Sequence, residues 1–197
     1  MSNRKDEMLE AAMQVVAEGG LESFSMKKVT DRIGVSEALL YKYFGSKSNL
    51  LYSCYEVVHR KVGEAMSAMT PSFPVDASSL PFMVHELWMT YFDILIRNGD
   101  HTLFYYNYRD SKYLSDALGH DREVKTGYFR GFVETFYKFD NILHIYDRTD
   151  PDLFWTYIID TTGVFAKRII KGEIKDTPEN RESAFKFVFS GISSVVG

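Results

Sequence analysis

The chain has 197 residues, of which 45% are hydrophobic and 25% are charged, and its formal net charge is −4. This composition is apolar enough for a folded core and excludes an intrinsically disordered chain. Because no run of about 18 apolar residues occurs and the N-terminus is charged, we expect no membrane span, no secretory leader and a cytoplasmic location. The single cysteine, Cys54, is expected to be a buried helical thiol.

Glycine, proline and capping residues divide the chain into helical lengths, and apolar residues recur every three to four positions, so the sequence predicts an all-α fold. Ser25 and Ser36 are predicted N-caps of two short helices that meet at Gly34. The predicted helices lie, in chain order, at about 3–18, 26–33, 37–44, 47–70, 80–97, 102–118, 121–139, 151–171 and 178–196. A break is expected near Arg109-Asp110.

Positive charge is concentrated in one segment. Residues 27–47 contain five lysines and arginines against two acidic residues, a local charge of +3 in an acidic chain. The same segment has the length and breaker pattern of a helix-turn-helix, whose second helix enters the major groove of DNA. Its predicted internal core is Val29, Ile33, Val35 and Leu40.

The sequence around this segment resembles the N-terminal pattern of the TetR family of bacterial transcriptional regulators over about residues 8–52. The matching residues are Gly34-Val35-Ser36 and then Leu40-Tyr41-Lys42-Tyr43-Phe44-Gly45-Ser46-Lys47-Ser48-Asn49-Leu50. Thr30 and Ile33 stand where the family usually has alanine. Ala38-Leu39 replaces a common Gly-Thr or Gly-Ser pair, so the base contacts of that pair cannot be transferred to Leu39.

The resemblance implies that Tyr41, Tyr43 and Lys47 grip phosphates and that the surface from Ser36 to Lys42 reads bases. Lysine can also donate to guanine and a small apolar side chain can touch a thymine methyl. The candidate DNA-binding residues are Lys27, Lys28, Ser36, Glu37, Ala38, Leu39, Tyr41, Lys42, Tyr43 and Lys47. The alternative for each lysine is a solvated helix face, and Glu37 is expected to face solvent.

The last two helices are apolar over broad faces and begin at Asp150-Pro151 and Thr177-Pro178. A palindromic DNA site requires two-fold pairing of the protein, and the resemblance implies dimerisation through these helices. The candidate interface residues are Phe154, Ile158, Phe165, Phe185, Phe189 and Ile192. The alternative is that the two helices bury one another within one chain.

Aromatic residues are enriched between positions 101 and 139, where eleven of 39 residues are Phe or Tyr. The resemblance implies a small effector in the C-terminal bundle, and an aromatic-lined pocket would suit a hydrophobic or aromatic compound. The candidate pocket residues are Trp88, Phe92, Phe104, Tyr108, Tyr128, Phe132 and Phe136, with Asp93 or Arg109 as a polar partner. The alternative is an aromatic core with exposed phenol tips.

An enzyme is not supported, because His85-Glu86 is followed by Met89 where a zinc-binding histidine would be needed. We expect no cofactor and no metal.

The sequence predicts a DNA-binding domain at 1–46 and an effector and dimer domain at 47–197, joined by the helix at about 47–70. The resemblance implies that the chain acts as a homodimeric repressor that an effector releases from palindromic double-stranded DNA. The alternative is a helix-turn-helix protein without an effector, regulated by a protein partner, or an activator.

Overall fold

The structure is a computed structural model that describes residues 4–68, 76, 78–114 and 127–196. The α-helices are α1 (Arg4–Gly19), α2 (Met26–Ile33), α3 (Glu37–Phe44), α4 (Lys47–Ser67), α5 (Leu80–Arg97), α6 (Gly99–Arg109), α7 (Arg130–Leu143), α8 (Pro151–Ile170) and α9 (Pro178–Val196). A 3₁₀ helix, Gly127–Phe129, precedes α7. All regular structure in these ranges is helical, which confirms the all-α prediction.

Most helix boundaries follow local sequence signals. Helices α2, α3, α5 and α9 have the predicted bounds, and α6 ends at the predicted break, Arg109. Helix α6 begins three residues earlier than predicted, because the Asn98 carbonyl accepts from the Thr102 amide at 2.9 Å. Residues 69–70 and 121–126, which the sequence assigns to helices, lie outside the described residues.

The chain packs as two compact units. The first contains the described residues of Met1–Val62 and Asn98–Gly127, and the second those of Gly63–Arg97 and Tyr128–Gly197. Helix α6 therefore packs with the N-terminal helices although it follows them by about half the chain. The boundary at residue 46 between a DNA-binding domain and an effector and dimer domain stays a prediction.

The first unit has a core formed by α1, α2, α3, α4 and α6. Met8, Met13 and Val16 of α1 are fully buried, together with Phe104 and Tyr108 of α6. A polar contact joins the same two helices, since His101 Nε2 lies 2.7 Å from Glu10 Oε2.

The single cysteine lies in this core. Cys54 is fully buried, and its Sγ lies 3.6 Å from the Leu9 carbonyl oxygen. Burial raises the pKa of the Cys54 thiol, which keeps it protonated and unreactive. The expected buried helical thiol is confirmed.

The second unit is stabilised by polar contacts as well as by apolar packing. The Trp88 indole Nε1 donates to Thr162 Oγ1 at 3.0 Å and so joins α5 to α8. The Arg181 guanidinium donates to Asp93 at 3.1 Å and to Asp176 at 2.6 Å, which joins α9 to α5. Hydrogen bonds between these ionised partners offset part of the cost of removing the charges from water.

Gly63 lies where α4 closely approaches the 3₁₀ helix Gly127–Phe129. A Cβ atom placed on Gly63 would lie 2.7 Å from the Cβ of Tyr128 and 3.0 Å from the ring of Phe129. Both distances are below van der Waals contact, so α4 and the 3₁₀ helix must move apart to admit a methyl group.

We predict that Gly63→Ala lowers the free energy of unfolding by about 1–2 kcal/mol, because overpacking outweighs the better helix propensity of alanine. Urea denaturation followed by circular dichroism measures the change. The control is Lys61→Ala, which replaces an exposed residue of the same helix. A Gly63→Ala chain as stable as the original would contradict the packing described here.

Candidate nucleic-acid interface

The turn between α2 and α3 is built on glycine. Gly34 has φ 67° and ψ 40°, a left-handed conformation that is costly for residues with a Cβ atom. Its amide donates to the Thr30 carbonyl at 2.9 Å, and the Val35 amide donates to the same oxygen at 3.2 Å. The turn therefore ends α2 and redirects the chain into α3.

Serine side chains begin both short helices, as predicted. The Ser25 hydroxyl oxygen accepts from the Lys28 amide at 3.2 Å, and the Ser36 hydroxyl oxygen accepts from the Leu39 amide at 3.3 Å. Each contact satisfies an amide that has no partner within its helix, which is worth about 1 kcal/mol. The start of α3 is thus fixed by its own sequence.

The inner side of the helix pair is apolar. Val29 and Leu40 are fully buried, and Phe44 is buried at the end of α3. Ile33 and Val35 are half-buried and pack against the same core. The predicted internal core is therefore confirmed for Val29 and Leu40, while Ile33 and Val35 lie at its edge.

The outer side of α3 is exposed and polar. We call it the α3 face, which consists of Ser36, Glu37, Ala38, Tyr41 and Lys42. Tyr41 is 48% exposed although tyrosine favours partial burial, and Tyr43 beside the face is 45% exposed. Leu39 is half-buried, since it packs against the core. The DNA-binding candidates at the start of α3 and along it are therefore exposed, except Leu39, which is turned partly inward.

The lysines of α2 and α3 differ in their contacts. Lys27 lies 3.4 Å from Asp31 in an exposed ion pair, and the Lys28 ammonium donates to the Ser23 carbonyl at 2.7 Å. Lys42 is exposed, and its side chain makes no hydrogen bond or ion pair with any residue that the structure describes. The Lys42 ammonium is therefore available for an external acceptor.

Lys47 is placed differently from the other candidates. It is half-buried in the first turn of α4, and its Nζ donates to the Phe24 carbonyl at 3.0 Å. The same atom lies 5.2 Å from the ring centroid of Phe24 and 5.4 Å from that of Tyr113. Sequence spacing did not reveal this site, because Tyr113 lies 66 positions from Lys47 along the chain.

The candidate pocket residues are not brought together in one cluster. Phe104 and Tyr108 are fully buried in the first unit, with ring centroids 5.6 Å apart. Trp88 and Phe92 stack at 4.6 Å in the second unit, as part of α5. These four residues therefore belong to two separate groups, one in each unit.

The other pocket candidates lie around α7. Phe136 and Phe132 contact Trp155, with ring centroids 4.5 Å and 5.5 Å apart. Tyr128 lies beside Gly63. Of the suggested polar partners, Asp93 is already bound by Arg97 at 2.7 Å and by Arg181, and Arg109 lies in the first unit beside Tyr106. Membership of the pocket stays a prediction.

The candidate interface residues of α8 and α9 are largely covered within one chain. Phe154 and Phe185 are buried, and Ile158, Phe165, Phe189 and Ile192 are half-buried. The exposed apolar residues of these helices instead form what we call the α8–α9 surface: Leu153, Tyr157, Val164 and Phe187. Along α8 these residues follow helical spacing, so they form one stripe.

Close packing of α8 and α9 supports this surface. The Tyr157 hydroxyl lies 3.4 Å from the Phe187 carbonyl and 3.3 Å from the Val188 carbonyl. A Cβ atom on Gly191 would lie 2.1 Å from the same hydroxyl, so glycine gives the phenol its place. The two helices thus pack closely and leave apolar side chains on their outer side.

Other kinds of site find no support in the described part of the chain. Among those residues no group of three or more His, Cys, Asp or Glu side chains is arranged to hold a metal ion. No described helix is both long and apolar enough to cross a membrane.

Comparison with known proteins points to one family. Residues 8–54 match the model of the bacterial regulatory proteins of the tetR family. The HTH-type transcriptional repressor KstR of Mycobacterium tuberculosis is 42% identical over 84 residues, which cover 43% of this chain and 38% of that protein. The HTH-type transcriptional regulator BetI of Yersinia pestis is 33% identical over 63 residues, 32% of each chain. The matched region therefore spans about a third of these curated relatives.

Solved structures extend the likeness in fold to nearly the whole chain. A TetR family transcription regulator from Marinobacter aquaeolei VT8 has a TM-score of 0.70 at 20% identity and covers 94% of this chain and 93% of its own. A putative tetR family transcription regulator from Shewanella sp. PV-4 has a TM-score of 0.73 at 18% identity, and the match covers 96% of this chain and 98% of that one. The chain is therefore similar to the bacterial regulatory proteins of the tetR family in the sequence of residues 8–54, and it shares the fold of solved TetR family structures.

Proposed function

We propose that this chain is a cytoplasmic, DNA-binding transcriptional regulator that acts as a homodimer. In this proposal α3 lies in the major groove of a palindromic operator, and a small molecule bound by the second unit releases the protein from DNA. The observation that carries the proposal is the α3 face, which is exposed while Leu40 and Phe44 bury the other side of the same helix.

The chemistry of the α3 face suits base recognition. Lys42 can donate to the O6 or N7 atom of guanine, and the Ala38 methyl group can touch a thymine methyl. The hydroxyls of Tyr41 and Tyr43, beside this face, can donate to phosphate oxygens, which position the protein without reading sequence. Lys27 adds positive charge at the start of α2, where an exposed ion pair with Asp31 is weak enough to exchange for a phosphate.

Tight binding requires two copies of the helix-turn-helix. Two-fold symmetry places two recognition helices about 34–36 Å apart, one turn of B-DNA. The α8–α9 surface supports the proposed dimer, since its exposed apolar side chains are better explained by a second copy than by contact with water. We therefore propose that the dimer interface lies on the two helices predicted from sequence, α8 and α9, and that the α8–α9 surface forms it.

Repression is proposed because the similar protein KstR is a transcriptional repressor. Release by a small molecule is proposed because aromatic rings line several parts of the second unit beside polar groups such as Thr162. Such a compound changes the affinity for DNA only if it binds one conformation of the protein more tightly than another. A tenfold change in DNA affinity needs a difference of about 1.4 kcal/mol between these two binding free energies.

Selection of binding sites from random DNA duplexes tests the DNA-binding part of this proposal. We predict a symmetric site whose half-sites are about 10 base pairs apart between centres. Lys42→Met keeps this spacing and loses selection for guanine at one position of each half-site, at a cost of about 1–3 kcal/mol per position. Lys61→Met, which removes an exposed lysine of α4, is the control. Absence of any symmetric site contradicts the proposal.

We predict that Phe187→Lys converts the dimer to a monomer at micromolar concentration, because it places a charge in an apolar interface. Analytical ultracentrifugation measures the change. Phe82→Lys is a matched control, since Phe82 is 63% exposed on α5 and Phe187 is 67% exposed on α9. Equal effects of the two substitutions, or a monomeric original chain, would rule out the α8–α9 surface as the dimer interface.

A screen of small apolar compounds by thermal unfolding tests the effector. A compound present at 100 times its dissociation constant stabilises the native state by about 2.7 kcal/mol and raises the melting temperature. Both tryptophans, Trp88 and Trp155, lie in the second unit, so binding there changes tryptophan fluorescence. We expect such a compound to weaken DNA binding at least about tenfold. A binder that leaves DNA affinity unchanged contradicts release by effector.

A further inference from the structure

Glu37 is the acidic member of the α3 face, and it is the first residue of α3. Its side chain is exposed and makes no hydrogen bond or ion pair with any residue in the described part of the chain. Acidic side chains on the neighbouring helices differ in this respect. Asp31 of α2 lies 3.4 Å from Lys27, and Glu18 of α1 is bound by Arg32. The Glu37 carboxylate is therefore available to a donor outside the protein.

The register of α3 places Glu37 beside the other members of this face. Leu40 and Phe44 are buried on the inner side of the helix, whereas Glu37 and Tyr41, four residues apart, are both exposed. In the free protein the helix dipole favours a carboxylate in the first turn. That interaction gives no preference for any base, so only contact with DNA can make Glu37 selective.

The proposed complex brings this carboxylate into a region of strong negative charge. The N-terminal residues of a recognition helix contact base edges in the major groove, and Glu37 is the first of them. B-DNA carries one phosphate charge per about 1.7 Å of its axis. A carboxylate that loses water there without gaining a hydrogen-bond donor is strongly unfavourable. Glu37 therefore tolerates only base pairs that supply an N–H group.

The major-groove edges of the bases differ in the groups that they present to a carboxylate. Guanine presents two acceptors, N7 and O6, and thymine presents the O4 acceptor and a methyl group. Adenine presents the N6 donor next to the N7 acceptor, so the second carboxylate oxygen would face a lone pair. Cytosine presents only the N4 donor. Among the four bases, cytosine thus matches a carboxylate best.

We infer that Glu37 is a specificity-determining residue that accepts a hydrogen bond from the N4 amino group of one cytosine in each half-site. This inference rests on the proposed function, because it requires α3 to lie in the major groove. Lys42 is five residues further along α3, about 7.5 Å along the helix axis. Glu37 and Lys42 are therefore far enough apart to read different base pairs.

Selection of binding sites from random duplexes by the original chain and by Glu37→Gln tests the inference. Glutamine keeps the size of the side chain but replaces one carboxylate oxygen with an amide donor, and its amide matches the N6 and N7 atoms of adenine. We expect one position of each half-site to change from cytosine to adenine, while the guanine selected by Lys42 is retained. Glu56→Gln, which removes an exposed carboxylate of α4, is the control and should select the original site.

A modified duplex tests the contact at the level of one atom. N4-methylcytosine still pairs with guanine but carries a methyl group in place of the amino hydrogen that faces the groove. We expect this modification at the selected cytosine to weaken binding by the original chain roughly tenfold. Glu37→Ala should bind the modified and unmodified duplexes equally, since it has no acceptor to lose.

The outcomes separate the role of Glu37 from the proposed function. If the original chain selects no symmetric site, the proposed function fails and this inference fails with it. If a symmetric site is selected and Glu37→Gln changes affinity equally for all duplexes, Glu37 only faces solvent, and the inference alone is overturned. Equal weakening of the original chain and Glu37→Ala by N4-methylation would also overturn it.

Discussion

The angle between α2 and α3 is the constraint on which the proposed function depends. It is set by the left-handed Gly34 and by the burial of Val29 and Leu40 on the inner side of the corner. A residue with a Cβ atom at position 34 would cost roughly 1–2 kcal/mol, and truncating a buried leucine costs about 2–5 kcal/mol. These contacts leave α3 with one face in the core and the other exposed. Every DNA contact proposed for Lys42, Ala38 or Tyr41 uses that exposed face.

The local parts of this structure could be predicted from sequence. Ser25, Gly34 and Ser36 act within one or two helical turns of their own position, so capping and backbone preference were enough to give the bounds of α2 and α3. The exposure of the α3 face could also be predicted, from the spacing of apolar residues along the helix. Residues three or four apart lie on one side of a helix, and Leu40 and Phe44 had to face inward together.

The distant contacts could not be predicted in the same way. Phe104 and Tyr108 are four residues apart on α6 and belong to the core of the first unit, where the Tyr108 ring lies 5.4 Å from that of Tyr55, whereas the count of aromatic residues suggested a pocket in the C-terminal bundle. Residue composition does not tell which neighbour a helix face will meet. The interface candidates show the same limit, because Phe154 and Phe185 are used inside the chain while Leu153 and Phe187 remain exposed. The contact of the Lys47 ammonium with the Tyr113 ring joins residues far apart in sequence and carried no local signal.

Site-specific photo-crosslinking measures most directly whether the α3 face meets DNA bases. Cys54 is fully buried, so a thiol-reactive photo-crosslinker attached to Ala38→Cys should label that position selectively, and Glu56→Cys on an exposed part of α4 provides the comparison. With α3 in the major groove, position 38 crosslinks to bases of the selected duplex and position 56 does not. Equal crosslinking from both positions, or none from position 38 in a complex that still forms, would contradict the placement of α3 in the groove.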